Sequence, residues 1–202
     1  MTEVRQATIV RETKETKIRV ALNIDGKGDS RINTGIAMLD HLLSHIARHG
    51  LMDIVIEASG DLEVDQHHTT EDIAICLGQA LKKALGNGKG ITRMAHAIVP
   101  MDDSLAIVAL DLSGRGYPVI DESVSFKRKK VGTLESDLIG HFLETFAVEA
   151  RMNLHAGIYT GNNDHHKAEA IFKALGRALG AAIRIDARII DDVPSTKGVI
   201  ES

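Results

Sequence analysis

Tryptophan is absent from these 202 residues, and only four phenylalanines, two tyrosines, three prolines and one cysteine occur. One cysteine can neither close an internal disulfide nor build a thiolate metal cluster, which fits a reducing compartment. Long apolar runs are missing as well: stretches such as Ala106 to Leu110 are far too short to cross a bilayer. No charge sign is in large excess. Lys and Arg number 24 against 28 Asp and Glu, and the net charge of −4 excludes bulk capture of nucleic acid or anionic lipid. Any anionic ligand must therefore be met by local basic groups. The N-terminal stretch MTEVRQATIVRETKE is charged throughout and has no apolar segment, which predicts no signal peptide and a cytoplasmic protein.

Histidine is abundant instead, with ten residues against six aromatic ones. The chain also repeats itself. Ala21-Leu22-Asn23-Ile24-Asp25-Gly26-Lys27-Gly28 returns as Ala109-Leu110-Asp111-Leu112-Ser113-Gly114-Arg115-Gly116, and Met38-Leu39-Asp40-His41-Leu42-Leu43 returns more loosely as Leu138-Ile139-Gly140-His141-Phe142-Leu143. His67-His68-x-x-Glu71, followed by Leu77-Gly78-Gln79-Ala80-Leu81, matches His165-His166-x-x-Glu169, followed by Leu175-Gly176-Arg177-Ala178-Leu179, at identical internal spacing.

Each half carries the same order of elements. Ile18, Val20, Leu22 and Ile24 alternate as in a half-buried strand, with Asp25 to Gly28 as its turn. Ile36, Leu39, Leu43 and Ile46 recur at helical spacing, Met52, Ile54 and Ile56 return to strand, and His67 to Leu85 reads as a long helix closing at Gly86. The second half predicts helices near 136–149 and 165–184. Two units, about 1–92 and 93–202, imply an α+β fold with an internal pseudo-twofold and sheets packed on paired helices. The GNGKG segment follows a helix and lacks Walker spacing, so it reads as a helix-ending turn. Lys127 to Lys130, in an insertion of the second half, reads as a solvated charge run. Cys76 sits on an apolar helix stripe and is expected in the core.

In His-His-x-x-Glu the first His and the Glu lie one helical turn apart on one face and can grip one ion, while the middle His diverges by about 100°. Duplication suggests two ions, each taking a His and Glu from one motif and the spare His from the other. The repeat supplies one further matched pair, His41 and His141. Such a set of nitrogens and one carboxylate, without sulfur, suits Mn, Fe, Co, Ni or Zn and disfavours Ca or Mg. His45 and His49 share a helical face with His41 and are expected to line the same cleft. His96 and His155 fall on strand-like segments and are expected to be satisfied structural residues.

These motifs resemble a known family, the imidazoleglycerol-phosphate dehydratases, over essentially the whole chain. The resemblance rests on Arg11-x-Thr13-Lys14-Glu15-Thr16, Thr34-Gly35-Ile36-x-Met38-Leu39-Asp40-His41, Gly60-Asp61-Leu62, Asp65-x-His67-His68-Thr69-x-Glu71-Asp72, Asp111-Leu112-Ser113-Gly114-Arg115, His165-His166-x-x-Glu169-Ala170-x-Phe172-Lys173-Ala174 and Pro194-Ser195-x-Lys197-Gly198. Thr196 stands where relatives often have Ser, and His45 where they often have Gln. The resemblance implies that His41, His67, His68, Glu71, His141, His165, His166 and Glu169 bind two manganese ions. It implies a fold duplicated from a ribosomal-protein-S5-domain-2-like unit and a shell of 24 subunits with metal sites where subunits meet.

The implied reaction is a hydro-lyase step of histidine biosynthesis, the dehydration of D-erythro-imidazole-glycerol phosphate to imidazole-acetol phosphate. No carbonyl neighbours the carbon that loses its proton, so the substrate's imidazole must relay the electrons. Metal on both ring nitrogens would hold it as imidazolate. Glu15 matches the family's substrate-contacting glutamate and is the candidate for proton transfer. Family positions assign the phosphate to Arg93, Arg115, Lys173, Ser195 and Lys197. A dinuclear metallohydrolase would want a carboxylate bridging both ions, whereas each ion here has its own Glu. A metal-storage shell would leave the basic and hydroxyl residues of the PSTKG tail unexplained.

Overall fold

A computed structural model of the chain describes residues 4–200. The first half forms β1 (Gln6–Glu12), β2 (Thr16–Asn23), β3 (Ser30–Asn33), α1 (Ala37–Gly50), β4 (Asp53–Gly60) and α2 (His67–Leu85). The second forms β5 (Met94–Met101), β6 (Ser104–Asp111), β7 (Tyr117–Ile120), a small hairpin of β8 (Lys130–Val131) and β9 (Leu134–Glu135), then α3 (Asp137–Glu149), β10 (Asn153–Thr160) and α4 (Asp164–Ala182). The two four-stranded sheets share one topology, β1-β2-β4-β3 and β5-β6-β10-β7. In each, the last pair is parallel, β3 with β4 and β7 with β10, and α1 or α3 lies in the connection that such a pair requires. The repeat in the sequence is therefore a repeat of α+β architecture.

Alternation explains which face each strand buries. In β2, Thr16, Ile18, Val20 and Leu22 point inward, and in β6 the matching positions are Ser104, Ala106, Val108 and Leu110. The helices form a layer with a sheet on either side: α2 covers β1 and β2, α4 covers β5 and β6, and the pairs α1 with α4 and α2 with α3 pack across the middle. Three of the four phenylalanines meet there, Phe142 with Phe146 at 5.9 Å and with Phe172 at 5.5 Å between ring centres. Each helix pair joins opposite halves, so the division near residue 92 separates the sheets but not the helical core.

Glycine sets how closely the helices approach. A Cβ on Gly176 would lie 2.9 Å from the backbone oxygens of His45 and Ile46, and one on Gly180 would lie 2.5 Å from that of Gly50. At the equivalent repeat position, a Cβ on Gly78 would sit 2.9 Å from the Ala150 nitrogen and 3.0 Å from the Phe146 oxygen. Backbone against backbone leaves no flexible atom to yield, so the LG-x-AL motif is a helix-contact motif in both copies.

Several local expectations hold. Gly86 ends α2, its N–H donating to the Lys83 oxygen. Cys76 is buried in the core, and burial pushes its thiol up to about 11. The Lys127–Lys130 side chains are exposed, although Lys130 belongs to β8 and the Lys127 and Arg128 N–H groups donate to Asp164. Among the described residues no helix is long and apolar enough to cross a membrane.

Gly176→Ala and Gly78→Ala should each cost about 2 kcal/mol by forcing a helix pair apart, lowering the melting temperature by roughly 4–8 °C. Thermal unfolding followed by circular dichroism checks this, and unchanged melting would show that the contacts are not tight.

Candidate metal centres and basic pocket

The helix pairing decides which histidines meet. Helix α4 starts at a side-chain cap, where the Asn163 oxygen accepts from the N–H groups of His165 and His166, so both rings project from the first turn. One turn on, the buried Glu169 carboxylate lies 2.8 Å from His41 Nε2 of α1 and 2.9 Å from its own helix's His165 Nε2. Its second oxygen accepts from Lys173 at 2.5 Å and lies 3.6 Å from His45 Nε2. Burial alone would raise the Glu169 pKa, but the hydrogen bonds from Lys173, His41 and His165 outweigh it and bring it down to about 2. His45 is driven the other way. Burial lowers it to about 4 in spite of Glu169, so it is neutral near pH 7.

The second cluster repeats the first with the halves exchanged. His67 and Glu71 of α2 meet His141 of α3, whose ring stacks on His67 at 4.6 Å and whose Nε2 is 3.3 Å from Glu71 Oε1. In both clusters a buried imidazole nitrogen, His45 Nε2 in one and His141 Nε2 in the other, has no hydrogen-bond partner. A desolvated donor atom left without a partner is costly, and an ion held by nitrogen and carboxylate ligands would relieve it. The residue sets His41, His45, Glu169 and His67, Glu71, His141 each place one ligand atom per residue within 4.8 Å of the others. They fit a transition metal.

The spare histidines do not join these sets within the chain. His68 Nδ1 faces Asp61 at 3.0 Å and Glu15 at 3.9 Å, and Asp61 raises its pKa. His166 Nδ1 bonds Asp103 at 2.7 Å, and its Nε2 has the Asn163 side-chain amide and Asp102 each at 3.5 Å. The expectation that each ion takes the spare His of the other motif is therefore corrected for a single chain: α2 and α4 lie over different sheets, and neither spare ring reaches the other cluster.

Glu15 stands in the β1–β2 turn with a half-exposed side chain, while its backbone oxygen accepts from Asp61 N–H. The hairpin is tied to α2 because Arg11 and Thr16 both donate to the buried Asp72 carboxylate. Four of the five phosphate candidates share one cleft of about 360 Å³, lined by Arg93, Arg115, Ser195 and Lys197 together with Ser113 and Thr196. Arg93 anchors it, donating to both Asp111 oxygens at 2.7 and 3.0 Å and to the Pro194 carbonyl at 2.7 Å, which pins the C-terminal tail. The fifth candidate, Lys173, lies instead at Glu169, with its ammonium also 3.1 Å from Met101 Sδ.

His49 follows His45 along α1 at 5.6 Å between ring centres, and burial, then Lys173, Arg177 and Arg48, lowers its pKa. His96 and His155 are exposed on the outer face of the second sheet without polar contacts among the described residues. This corrects their reading as satisfied structural residues, since strand alternation turns both away from the helices. Sequence reasoning missed Asp61 and Asp103, the carboxylates that hold His68 and His166. Asp61 lay inside a recognised motif, and Asp103 occupies the hairpin turn that corresponds to the turn of Glu15.

Fold and site together define a duplicated α+β protein with paired His–Glu clusters and a basic cleft at its tail. A family model for imidazoleglycerol-phosphate dehydratase matches residues 34–179, and the chain belongs to that family. It is 57% identical to the imidazoleglycerol-phosphate dehydratase of Roseiflexus sp. (strain RS-1), over 97% of this chain and 98% of the relative. Identity to that of Methanothermobacter thermautotrophicus is 54%, over 98% and 99%. Among solved structures, the Staphylococcus aureus enzyme superposes with a TM-score of 0.80 at 36% identity, covering 90% of this chain and 99% of that one. The Pyrococcus furiosus enzyme in complex with (S)-C348 gives 0.79 at 38% identity, covering 95% and 99%.

The depressed pKa of His45 sets a pH dependence. The unfolded chain takes up this proton near 6.5, before the folded one does, so the contribution of neutral His45 is complete above about 6.5 and is lost as pH falls toward about 4. In metal-free protein, His45→Gln should therefore gain melting temperature relative to wild type between about pH 7 and pH 4.5. A difference that does not change with pH would contradict the burial of His45.

Proposed function

We propose that the protein removes water from D-erythro-imidazole-glycerol phosphate to give imidazole-acetol phosphate, acting as a cytoplasmic hydro-lyase of histidine biosynthesis. The observation that carries this reading is the pair of equivalent His–Glu clusters, His41, His165 and Glu169 in one and His67, Glu71 and His141 in the other, in a member of the dehydratase family. His41, His165 and Glu169 would hold one manganese ion and His67, Glu71 and His141 the other. His68 and His166 would complete these shells across contacts between chains in a 24-subunit assembly built from the duplicated units 1–92 and 93–202. Held there, such ions would supply the positive charge that favours the imidazolate form of the substrate's ring.

The chain's own groups carry the rest. Glu15, at the tip of a hairpin braced by Asp72 and with a side chain free of tight hydrogen bonds, takes the proton from the carbinol carbon; the hydroxyl of the neighbouring carbon, expelled by the ring electrons, leaves with that proton as water, and the enol left behind becomes the ketone. Arg93, Arg115, Ser195 and Lys197 grip the phosphate, with Arg93 already oriented by Asp111. His45 and His49 line the wall beside His41. Lys173 balances the charge of Glu169.

Protein stripped by a strong chelator should form no ketone product from imidazole-glycerol phosphate, and manganese should restore it. Product formed with bound metal shown absent would overturn the reading. Glu15→Gln should lower kcat by about 100-fold or more while two manganese ions per chain remain bound. Full activity in that variant would remove Glu15 from proton transfer.

A further inference from the structure

The two inner hairpins of the duplicated fold carry carboxylates at corresponding places. Glu15 precedes Thr16, the first buried residue of β2, and Asp103 precedes Ser104, the first buried residue of β6. Each faces the middle histidine of the helix over its own sheet, Glu15 with His68 at 3.9 Å and Asp103 with His166 at 2.7 Å. Their bonding differs sharply. Asp103 Oδ2 accepts from the Asn162 and Asn163 N–H groups at 2.6 and 3.0 Å, while Oδ1 meets His166 Nδ1 at 2.7 Å and accepts from Ser104 Oγ at a longer 3.5 Å. Asp102, with φ of 45°, makes the tight turn that aims this carboxylate at the start of α4. In the first half Asp61, from the end of β4, takes the close position at His68 Nδ1, and Glu15 is left more than half exposed.

We propose that Asp103 is a positioning residue that fixes the tautomer of His166, and that Asp61 does the same for His68, so that Glu15 is released for chemistry. The inference rests on the functional reading above. An ionised carboxylate at Nδ1 requires the proton there and leaves the Nε2 lone pair outward, the form in which an imidazole binds a metal ion. Both spare histidines thus turn Nε2 away from the carboxylate that holds them, although those carboxylates come from different loops, and at His166 that nitrogen has only Asn163 Nδ2 and Asp102 beside it, each at 3.5 Å. The division explains why one duplicated hairpin carries a loose glutamate and the other a locked aspartate: one carboxylate cannot both move a proton and hold a ring still.

The Asp103→Asn variant of the full chain tests this directly. Its amide oxygen must face the two backbone N–H donors, so its NH₂ group faces His166 Nδ1 and forces the proton onto Nε2. In metal-free protein labelled with ¹⁵N-histidine, one ring should change from the Nδ1–H to the Nε2–H tautomer. Calorimetric titration with manganese should then show one of two sites weakened by about 10–100-fold. Unchanged affinity would overturn the proposal, and so would weakened binding with no change of tautomer, which would mark Asp103 as a loop support only. Failure of the wild-type protein to take up manganese would instead overturn the functional reading, so the two failures are distinguishable.

Discussion

Close contact of helix backbones is the constraint on which the rest of the structure depends. At Gly176 and Gly180 against α1, and at Gly78 against α3, there is no room for even one methyl group. This proximity carries His41 to Glu169 and His141 toward Glu71, pairs that lie far apart in sequence and in opposite halves. Substituting larger residues would cost packing energy and would also move imidazoles away from carboxylates, so stability and site geometry share one cause.

Duplication followed by exchange of helix partners has a chemical consequence. Each cluster draws a His and Glu from one half and a His from the other, so neither half holds a complete set. The electrostatics of the two are not identical. Glu169 is buried and balanced by Lys173, while Glu71 is partly exposed. Basic side chains gather at a third place, the cleft where Arg93 binds Asp111 and the tail carbonyl of Pro194. An acidic protein thus concentrates positive charge locally instead of carrying it as a net excess.

Much of this was legible in the chain. Period-two and helical patterns marked the strands and helices because each buries one face, and the equal spacing of the two HHxxE motifs to LG-x-AL revealed the repeat. Exchange of partners was not legible, because whether α1 packs on α2 or on α4 is a matter of long-range contact that local periodicity does not encode. For the same reason Lys173, assigned to phosphate, lies at Glu169, and the spare histidines turn to Asp61 and Asp103. Strand parity placed His96 and His155 on a sheet but could not say that they face outward.

On the proposed function, one chain builds two equivalent metal half-sites from opposite halves. Anomalous diffraction at the manganese edge, from crystals grown with the metal, tests it most directly. Two peaks per chain are predicted, one among His41, His165 and Glu169 and one among His67, Glu71 and His141. A single peak per chain, or two peaks away from these residues, would contradict it.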